Sequence, residues 1–382
     1  MGFQPFASPY DWSRIASYKR TAKAAFGGMI DLSVGSPVDP VPDSVRAALA
    51  DASNDPNAYG YPATVGTTDL RAAISEWFRD CRGVDLDACG ATVVPTVGSK
   101  EAVALMASLL HFGVGDVIVQ PTVSYPTYEI GTQLAGATVL KVDDVADVDS
   151  WQHVPGVRAV WVNSPCNPTG KVLSTSQMAS IVAAAREIGA VVLSDECYAL
   201  MTWGKPLTND GSLTDIAAPC ALNDTVCGSS AHGVLTLYSL SKQSNMAGYR
   251  TAFIAGDPEL ITPMIAYRKQ IGQIIPGPVQ AAMAAGLRDH VSVRQQHDRY
   301  RDRLGTLVSA LRAYGYATNL PDGALYVWVK AKSGDCWRDM AALAELGIIA
   351  SPGEFYGAPA YLRFSATASD KAIADAAERL AR

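Results

Sequence analysis

Residues 234–242, VLTLYSLSK, place Lys242 directly after an apolar run and beside the hydroxyl groups of Ser239 and Ser241. Arg250 follows eight residues further on. A lysine amine condenses with a carbonyl once desolvation or nearby cationic charge lowers its pKa. Hydroxyl and guanidinium groups bind a phosphate dianion. The stretch can therefore hold a phosphorylated aldehyde as an imine, although a lysine after a strand is more often a solvated surface residue.

Apolar runs and helical patterns alternate around this stretch, from about residue 92 to residue 256. The apolar, β-branched runs are 92–97, 117–120, 137–142, 159–163, 191–194, 234–239 and 251–255. Apolar residues recur at helical spacing in 100–111, 128–135 and 176–188. This alternation predicts an α/β fold with a mostly parallel, seven-stranded sheet wrapped by helices. Ligands of such sheets bind at the carboxyl ends of the strands.

A smaller α+β pattern follows the alternating region. A long helical stretch covers about 278–314, and Gly315 is a plausible stop signal. Beyond it we predict strands at 325–329 and 361–365, and helices at 336–345 and from about residue 370. We therefore predict a large domain over residues 42–275 and a small domain built from 1–41 and 276–382.

The composition excludes several classes of protein. The 382 residues are 48% hydrophobic and 18% charged, with a net charge of -6 and no basic block, so nucleic acid is not an expected partner. No apolar run reaches the roughly 18 residues that span a bilayer, and the first residues lack the apolar segment of a signal peptide. We expect a cytoplasmic protein without membrane contact.

The seven cysteines indicate neither disulfides nor a metal site. They are odd in number and form no C-x-x-C pair, which favours reduced thiols. Cys166 lies within the polar segment 163–170 and Cys197 within 195–198, and we interpret both as small space-filling residues.

Gly98-Ser99-Lys100-Glu101 follows the first apolar run and begins a helix. Backbone N–H groups, the helix dipole and the serine hydroxyl can form an anion site there. The alternative is that Gly98 turns the chain and Ser99 only caps the helix.

A second motif, Asn163-Ser-Pro-Cys-Asn167-Pro-Thr-Gly170, follows the fourth run. Two X-Pro bonds in five residues, ended by glycine, indicate a rigid loop in which one bond could be cis. Asn167 could donate to a phenolate-type oxygen of a cofactor, and a purely structural turn is the alternative.

Asp195-Glu-Cys-Tyr198 ends the fifth run. An acid at the tip of a buried strand is costly without a partner. A protonated ring nitrogen would be such a partner and would make the ring a better electron sink. Tyr198 could donate to the same ring oxygen as Asn167. Alternatively, Asp195 caps a helix and Tyr198 only packs.

Two further residues are candidates for ligand contacts. Tyr125 follows the second run and could stack on a flat ring, although a buried aromatic residue is more often plain core. Arg363 lies inside an otherwise apolar strand, where its planar fork matches a carboxylate. A structural salt bridge is the alternative for Arg363.

Together these motifs resemble, over essentially the whole chain, the fold-type I aminotransferases that depend on pyridoxal 5'-phosphate. The elements that carry the resemblance occur in the family's order: Gly35-Ser-Pro, Tyr61, Gly98-Ser-Lys100, Tyr125, Asn167-Pro-Thr-Gly, Asp195-x-x-Tyr198, Ser239-x-Ser-Lys242, Arg250 and Arg363.

The resemblance implies a role for each of these residues. Lys242 would bind the cofactor as an imine and move the proton, Asp195 would pair with the ring nitrogen, and Tyr125 would stack on the ring. Asn167 and Tyr198 would contact the ring oxygen. The residues implied at the phosphate are Gly98, Ser99, Lys100, Ser239, Ser241 and Arg250.

The resemblance also implies how substrate and partner are bound. Arg363, with Asn167 and the backbone at Gly35, would bind the substrate's α-carboxylate. Tyr61 would reach the active site of a neighbouring subunit, which implies a homodimer with shared sites. The residue that binds the distal end is not implied; Arg20 and Lys23 are candidates, but a solvated helix face explains them equally well.

Within this family the chain resembles in particular the actinobacterial N-succinyldiaminopimelate aminotransferases. The similar segments are 31–42 (DLSVGSPVDPVP), 60–74 (GYPATVGTTDLRAAI), 238–250 (YSLSKQSNMAGYR), 351–357 (SPGEFYG) and 362–370 (LRFSATASD). This similarity implies amino transfer between glutamate and an N-succinylated amino-keto-pimelate in lysine biosynthesis, with 2-oxoglutarate as the keto product. The alternatives are a broad aspartate, alanine or aromatic aminotransferase and a cystathionine-type carbon–sulfur β-lyase.

Overall fold

The structure of the protein is a computed structural model that describes residues 10–204 and 211–381. Its strands are β1 (Ile30–Asp31), β2 (Thr92–Val97), β3 (Val117–Pro121), β4 (Thr138–Val142), β5 (Val157–Asn163), β6 (Val191–Asp195), β7 (Val234–Ser239), β8 (Thr251–Gly256), β9 (Tyr326–Lys330), β10 (Ile348–Ile349), β11 (Ser351–Pro352) and β12 (Tyr361–Ser365). Its helices are α1 (Ala16–Ala24), α2 (Asp43–Ser53), α3 (Thr68–Arg82), α4 (Ser99–Leu109), α5 (Thr127–Leu134), α6 (Thr175–Glu187), α7 (Asp224–Cys227), α8 (Leu240–Gln243), α9 (Pro258–Gln270), α10 (Gly277–Arg288), α11 (His290–Ala313), α12 (Cys336–Glu345) and α13 (Asp370–Leu380).

The central sheet has seven strands in the order β2-β8-β7-β6-β5-β3-β4. Only β8 runs antiparallel to its neighbours β2 and β7; the other pairs are parallel. Every residue of β7 is buried, because helices cover both faces of such a sheet. The seven predicted runs are the seven strands, so the predicted mostly parallel α/β sheet is confirmed.

The register of the central strands brings several polar residues to one edge of the sheet. Asn163 pairs with Asp195 across β5 and β6, and Asp195 pairs with Leu237 across β6 and β7. Ser239 ends β7, and the short helix α8 begins at the next residue. The chain therefore presents Asn163, Asp195 and Lys242 at neighbouring strand ends.

The predicted helical stretch over 278–314 is two helices, α10 and α11. The backbone leaves helical geometry at Asp289, which has φ of −84° and ψ of 70°. Its side chain accepts a hydrogen bond of 3.0 Å from the backbone N–H of Ser292 and so caps α11. Neither proline nor glycine marks this position in the sequence, so the prediction missed the break.

A smaller α+β part lies beside the sheet. Strands β11, β12 and β9 form an antiparallel sheet, while β1 pairs in parallel with β10 and ties the amino-terminal segment to this part. Helix α10 packs on α2 and α3 among the core residues of the large sheet, whereas α11 runs from that core to the smaller one. The division at residues 41/42 and 275/276 stays a prediction.

All seven cysteines are buried and have free thiols. Across the described ranges, no helix combines the length and apolar character needed to cross a membrane.

Candidate active site

A cavity of about 360 Å³ lies at the carboxyl ends of the central strands, next to the small sheet. The structure brings most of the sequence-predicted residues to its wall: Gly35, Ser99, Lys100, Tyr125, Asn167, Asp195, Tyr198, Ser239, Ser241, Lys242, Arg250 and Arg363. Sequence reasoning did not select several other residues of the wall: Tyr10, Trp12, Val34, Asn163, Cys197, Ala247, Tyr326 and Tyr356.

Two predicted residues lie outside the cavity wall. Gly98 has a φ of 77°, and a Cβ atom at this position would collide with the guanidinium of Arg250. Glycine is therefore required for Arg250 to approach the start of α4. The side chain of Tyr61 is fully exposed. Its predicted contact with a neighbouring subunit stays a prediction.

Lys242 lies in α8, the short helix that begins directly after Ser239 ends β7. Its Nζ atom donates to the carbonyl of Gly35, which holds the amine inside the cavity. Burial lowers the pKa of this amine; Tyr326 opposes the shift, and the positive charges of Arg363 and Arg250 add to it. A lower pKa increases the fraction of the neutral amine, which is the nucleophilic and basic form.

Asp195 ends β6 and is 6% exposed. Its carboxylate accepts hydrogen bonds from the hydroxyl of Tyr128 at 2.7 Å and from the backbone N–H of Cys197 at 3.2 Å. Burial raises the pKa of Asp195, and these hydrogen bonds only partly offset that effect. The site therefore has a buried acid whose two hydrogen-bond donors are both neutral.

Tyr128 was missed by the sequence reasoning. It lies in α5, and its ring stacks on Trp161 of β5 with centroids 4.5 Å apart. The stacking fixes the hydroxyl against Asp195, 67 residues further along the chain. The nearest sequence signal is that Tyr128 begins the helical pattern of 128–135, three residues after Tyr125.

Arg363 connects the small sheet to the Asn167 loop. Its guanidinium donates to the side-chain oxygen of Asn167 and to the carbonyl of Ser33, both at 2.8 Å. The loop itself has two cis peptide bonds, at Ser164-Pro165 and Asn167-Pro168, one more than the sequence suggested. Arg363 is buried, and its Nε–H has no hydrogen-bond partner among the described residues. This donor set is suited to a carboxylate ligand.

The hydroxyl groups at the start of α8 are ordered around Ser239. Its oxygen accepts from the backbone N–H of Ser241 at 3.1 Å and donates to the Ser241 hydroxyl at 2.8 Å. The exposed Arg250 side chain lies against Gly98 and donates to the carbonyl of Ala247 at 2.9 Å. Hydroxyls, helix-start N–H groups and a guanidinium thus converge, as a phosphate site requires.

These features fit pyridoxal phosphate, the cofactor expected from the sequence. The buried carboxylate of Asp195 has no basic side chain bonded to it in the described ranges and can accept a protonated ring nitrogen. The amine of Lys242 projects into the same cavity, and the phosphate-suited groups lie along one side of it.

The residue after Asp195 is fixed by a buried ion pair. Glu196 and Arg82 approach to 2.8 Å with side chains that are each 1% exposed. The same carboxylate accepts from the backbone N–H of Ala221 at 2.9 Å and from the hydroxyl of Ser194 at 3.0 Å. Glu196 therefore anchors the tip of β6, where Asp195 lies, to α3 and to the 218–221 segment.

Replacing Glu196 with glutamine should destabilise the protein strongly. The variant leaves the buried charge of Arg82 uncompensated, which costs about 3–5 kcal/mol of unfolding free energy. Urea unfolding followed by circular dichroism measures the difference. Glu187→Gln, at an exposed position of α6, is the matched control and should change the value by less than about 0.5 kcal/mol. Equal stabilities of the two variants would contradict this account of the pair.

Comparison with known proteins agrees with the geometry. The family model for class I and II aminotransferases matches residues 27–380. The chain is 41% identical to the 4-dedimethylamino-4-oxo-anhydrotetracycline transaminase OxyQ of Streptomyces rimosus, over 97% of this chain and 98% of that one. It is 40% identical to a probable aminotransferase of Mycobacterium tuberculosis, over 97% and 84% of the two chains.

A solved structure shares the fold. The probable N-succinyldiaminopimelate aminotransferase of Thermus thermophilus superposes with a TM-score of 0.84 at 26% identity, over 97% of this chain and 99% of that one. The chain therefore belongs to the class I and II aminotransferases and is a fold-type I transaminase that depends on pyridoxal phosphate and acts on amino acids and keto acids.

Proposed function

We propose that the protein transfers an amino group between glutamate and an N-succinylated amino-keto-pimelate, the aminotransferase step of lysine biosynthesis. The observation that carries this proposal is the charge of the cavity. Four basic side chains line it, and Asp195 is the only acid on its wall within the described residues. The basic residues are Lys100, Lys242, Arg250 and Arg363. The cofactor's phosphate and the substrate's α-carboxylate account for part of this positive charge, and the remainder favours substrates with a further carboxylate.

We assign the α-carboxylate to Arg363. The guanidinium is already oriented by Asn167 and by the carbonyl of Ser33, and it has an unpaired buried N–H among the residues that the structure describes. A carboxylate would complete its hydrogen bonds in the bidentate geometry that arginine favours. Both substrates carry this group, so one arginine can serve both halves of the reaction.

Lys242, Asp195 and Tyr198 perform the remaining tasks of the site. When bound, pyridoxal phosphate supplies a conjugated ring that accepts the electron pair left by the α-proton. The Nζ atom of Lys242 holds the cofactor before substrate arrives and afterwards removes the α-proton, because its lowered pKa keeps part of the amine neutral. Asp195 keeps a proton on the ring nitrogen, and Tyr198 donates toward the ring oxygen.

The phosphate contact implied for Lys100 requires only its backbone N–H in the first turn of α4, so the side chain of Lys100 is our candidate for the distal carboxylate. It is exposed, lines the cavity, and places its Nζ atom 5.6 Å from the ring centroid of Tyr10. Arg20 and Lys23, the candidates from the sequence, are exposed on α1 and are not part of the cavity wall. The charged groups at the far end of the succinylated substrate are all carboxylates, because its distal nitrogen is a neutral amide, whereas free diaminopimelate has an ammonium group there that a lysine repels.

Replacing Lys100 with methionine should lower kcat/KM for glutamate about two- to five-fold, which is the effect of one exposed charge pair of up to about 1 kcal/mol. Alanine has no distal carboxylate, so its kcat/KM should stay unchanged. Steady-state kinetics with glutamate and with alanine measure kcat/KM of the variant relative to the wild type for each amino donor. Lys23→Met is the matched control on α1. An equal loss for glutamate and alanine would contradict a distal role for Lys100.

The substrate assignment is tested with single half-reactions of the holoenzyme. Each amino donor is mixed with the enzyme, and conversion of the cofactor to its aminated form is followed by absorbance. We expect rapid conversion with glutamate and with N-succinyl-LL-diaminopimelate, and slower conversion with LL-diaminopimelate. Equal rates with aspartate, alanine and aromatic amino acids would indicate a broad enzyme, and pyruvate release from cystathionine would indicate a β-lyase.

A cyclic ketone is the second candidate substrate class. The 41% identity to OxyQ, whose name specifies a 4-oxo-anhydrotetracycline, favours it. Its test is the same experiment run in reverse: the aminated enzyme is mixed with a polycyclic ketone or with the succinylated keto acid. If the absorbance of the aldehyde form of the cofactor returns faster with the ketone than with the succinylated keto acid, the cyclic-ketone candidate is favoured over the lysine pathway.

We also propose a cytoplasmic homodimer with shared active sites. The exposed side chains of Tyr59 and Tyr61 support this assembly, because both are at least 90% exposed although their rings are largely apolar. Analytical ultracentrifugation should give twice the chain mass, and Tyr61→Asp should shift the equilibrium toward monomer. A monomeric wild-type enzyme with full activity would contradict the proposal.

A further inference from the structure

Tyr326 was not selected from the sequence, although its hydroxyl lies at the centre of the site. The residue begins β9 of the small sheet and is 2% exposed. Its hydroxyl is 2.7 Å from the hydroxyl of Tyr198. A Cβ atom on Gly35 would collide with the same hydroxyl, so the glycine makes room for it. The carbonyl of Gly35 in turn holds the amine of Lys242.

The ring of Tyr326 has a separate neighbour. The guanidinium carbon of Arg363 lies 4.0 Å from the ring centroid of Tyr326 and 4.7 Å from that of Tyr356. Two aromatic rings therefore flank the arginine, while Asn167 and Ser33 bind its N–H groups. Such contacts hold a guanidinium most strongly where water is excluded.

We propose that Tyr326 is a positioning residue that acts in two separable ways: its hydroxyl orients Tyr198 toward the cofactor's ring oxygen, and its ring orients Arg363 toward the substrate's α-carboxylate. The inference rests on the roles proposed above for Tyr198 and Arg363. It assigns to one residue the link between the cofactor side and the substrate side of the cavity.

The effect of the Tyr326 hydroxyl on Tyr198 depends on which of the two hydroxyls donates its proton to the other. Burial raises the pKa of Tyr198 well above its ordinary value, so its hydroxyl stays protonated at neutral pH. Either hydroxyl of the pair can donate to the other. If the Tyr198 proton is given to the ring oxygen, as proposed above, Tyr326 must be the donor to the Tyr198 oxygen. A hydroxyl that accepts one hydrogen bond is a stronger donor in the next. Tyr326 therefore strengthens the hydrogen bond that Tyr198 gives to the ring oxygen.

Three substitutions separate the two contributions. Tyr326→Phe removes the hydroxyl and keeps the ring beside Arg363. Tyr326→Leu removes both. Tyr356→Phe is the matched control, since it also removes a buried hydroxyl next to Arg363, but one that contacts Ser351 at 3.1 Å and not Tyr198. Thermal unfolding of each holoenzyme verifies that the variants are folded.

The first readout is the pKa of the pH-dependent visible absorbance band of the holoenzyme, measured without substrate. A weaker hydrogen bond leaves the ring oxygen more basic, so it holds the neighbouring proton more tightly. Tyr326→Phe should therefore raise this pKa by about 0.3 to 1 unit, the effect of part of one hydrogen bond. Tyr198→Phe should raise it further, and Tyr356→Phe should leave it at the wild-type value.

The second readout is kcat/KM for glutamate. Tyr326→Leu should lower it about five- to thirty-fold relative to Tyr326→Phe, the effect of a desolvated cation–π contact of roughly 1–2 kcal/mol, with most of the change in KM. Equal values for these two variants would overturn the role of the ring. An unchanged absorbance pKa in Tyr326→Phe, with a raised one in Tyr198→Phe, would overturn the role of the hydroxyl. An unchanged pKa in Tyr198→Phe would instead refute the proposed role of Tyr198 itself.

Discussion

Replacing Lys242 with alanine is expected to lower turnover by about 10²- to 10⁴-fold, the contribution of a positioned general base. The variant should also retain pyridoxal phosphate poorly, because the amine that binds the aldehyde is gone. The structure supports both effects: Nζ lies inside the cavity, held by the carbonyl of Gly35, and burial lowers the pKa of this amine. Steady-state kinetics and absorbance of the purified variant measure them.

The control for this variant is Lys371→Ala. Lys371 is an exposed residue of α13 whose amine pairs only with Asp375 in the described part of the chain, four positions away on the same helix. Its loss should leave turnover and cofactor content unchanged. If Lys242→Ala transaminated at a rate close to wild type, the assignment of both roles to Lys242 would be wrong.

Asp195→Asn is expected to lower turnover by about 10²- to 10³-fold, comparable to the loss of one preorganised charge-stabilising group. Asparagine preserves the shape of the side chain but cannot keep a positive charge on the ring nitrogen. The ring then accepts the electron pair of the α-carbon less readily. Single-turnover absorbance with glutamate isolates this step from product release. An unchanged single-turnover rate would contradict the assignment of Asp195.

The same substitution should stabilise the cofactor-free protein. Burial raises the pKa of Asp195 above its value in the unfolded chain, so the ionised carboxylate disfavours the folded state at neutral pH. This cost begins to fall as the pH drops through the raised folded-state pKa and is gone below the lower pKa of the unfolded chain. Urea unfolding should therefore show Asp195→Asn to be more stable than wild type at pH 7, with a difference that shrinks in acid. A less stable variant at pH 7 would indicate that the hydrogen bonds of Asp195 outweigh its burial.

The sequence predicted the sheet because each strand has a residue pattern that is recognisable within the strand itself. A strand covered on both faces is a short apolar, β-branched run, and each of the seven runs was recognisable without knowledge of its neighbours. The residues at the ends of these runs, such as Asp195 and Lys242, were selected as site candidates because ligands of such sheets bind at the carboxyl ends of the strands. The structure places both on the wall of one cavity.

The residues that were missed contribute through contacts between distant parts of the chain. The hydroxyls of Tyr198 and Tyr326 meet although the residues are 128 positions apart, and β9 gives no sign of this in its own apolar pattern. Tyr128 likewise resembles a core residue of α5 until Asp195 is placed beside it. The break at Asp289 was missed for a different reason: no proline or glycine marks it in the sequence.

The central claim is that the amine of Lys242 holds the cofactor. Borohydride reduction of the holoenzyme makes this attachment permanent, and mass spectrometry of the digested protein then locates the added pyridoxyl phosphate group. We predict one modified lysine, Lys242, and no modification when glutamate has first converted the cofactor to its aminated form. Modification of another lysine in the cavity, such as Lys100, or of none, would contradict the account.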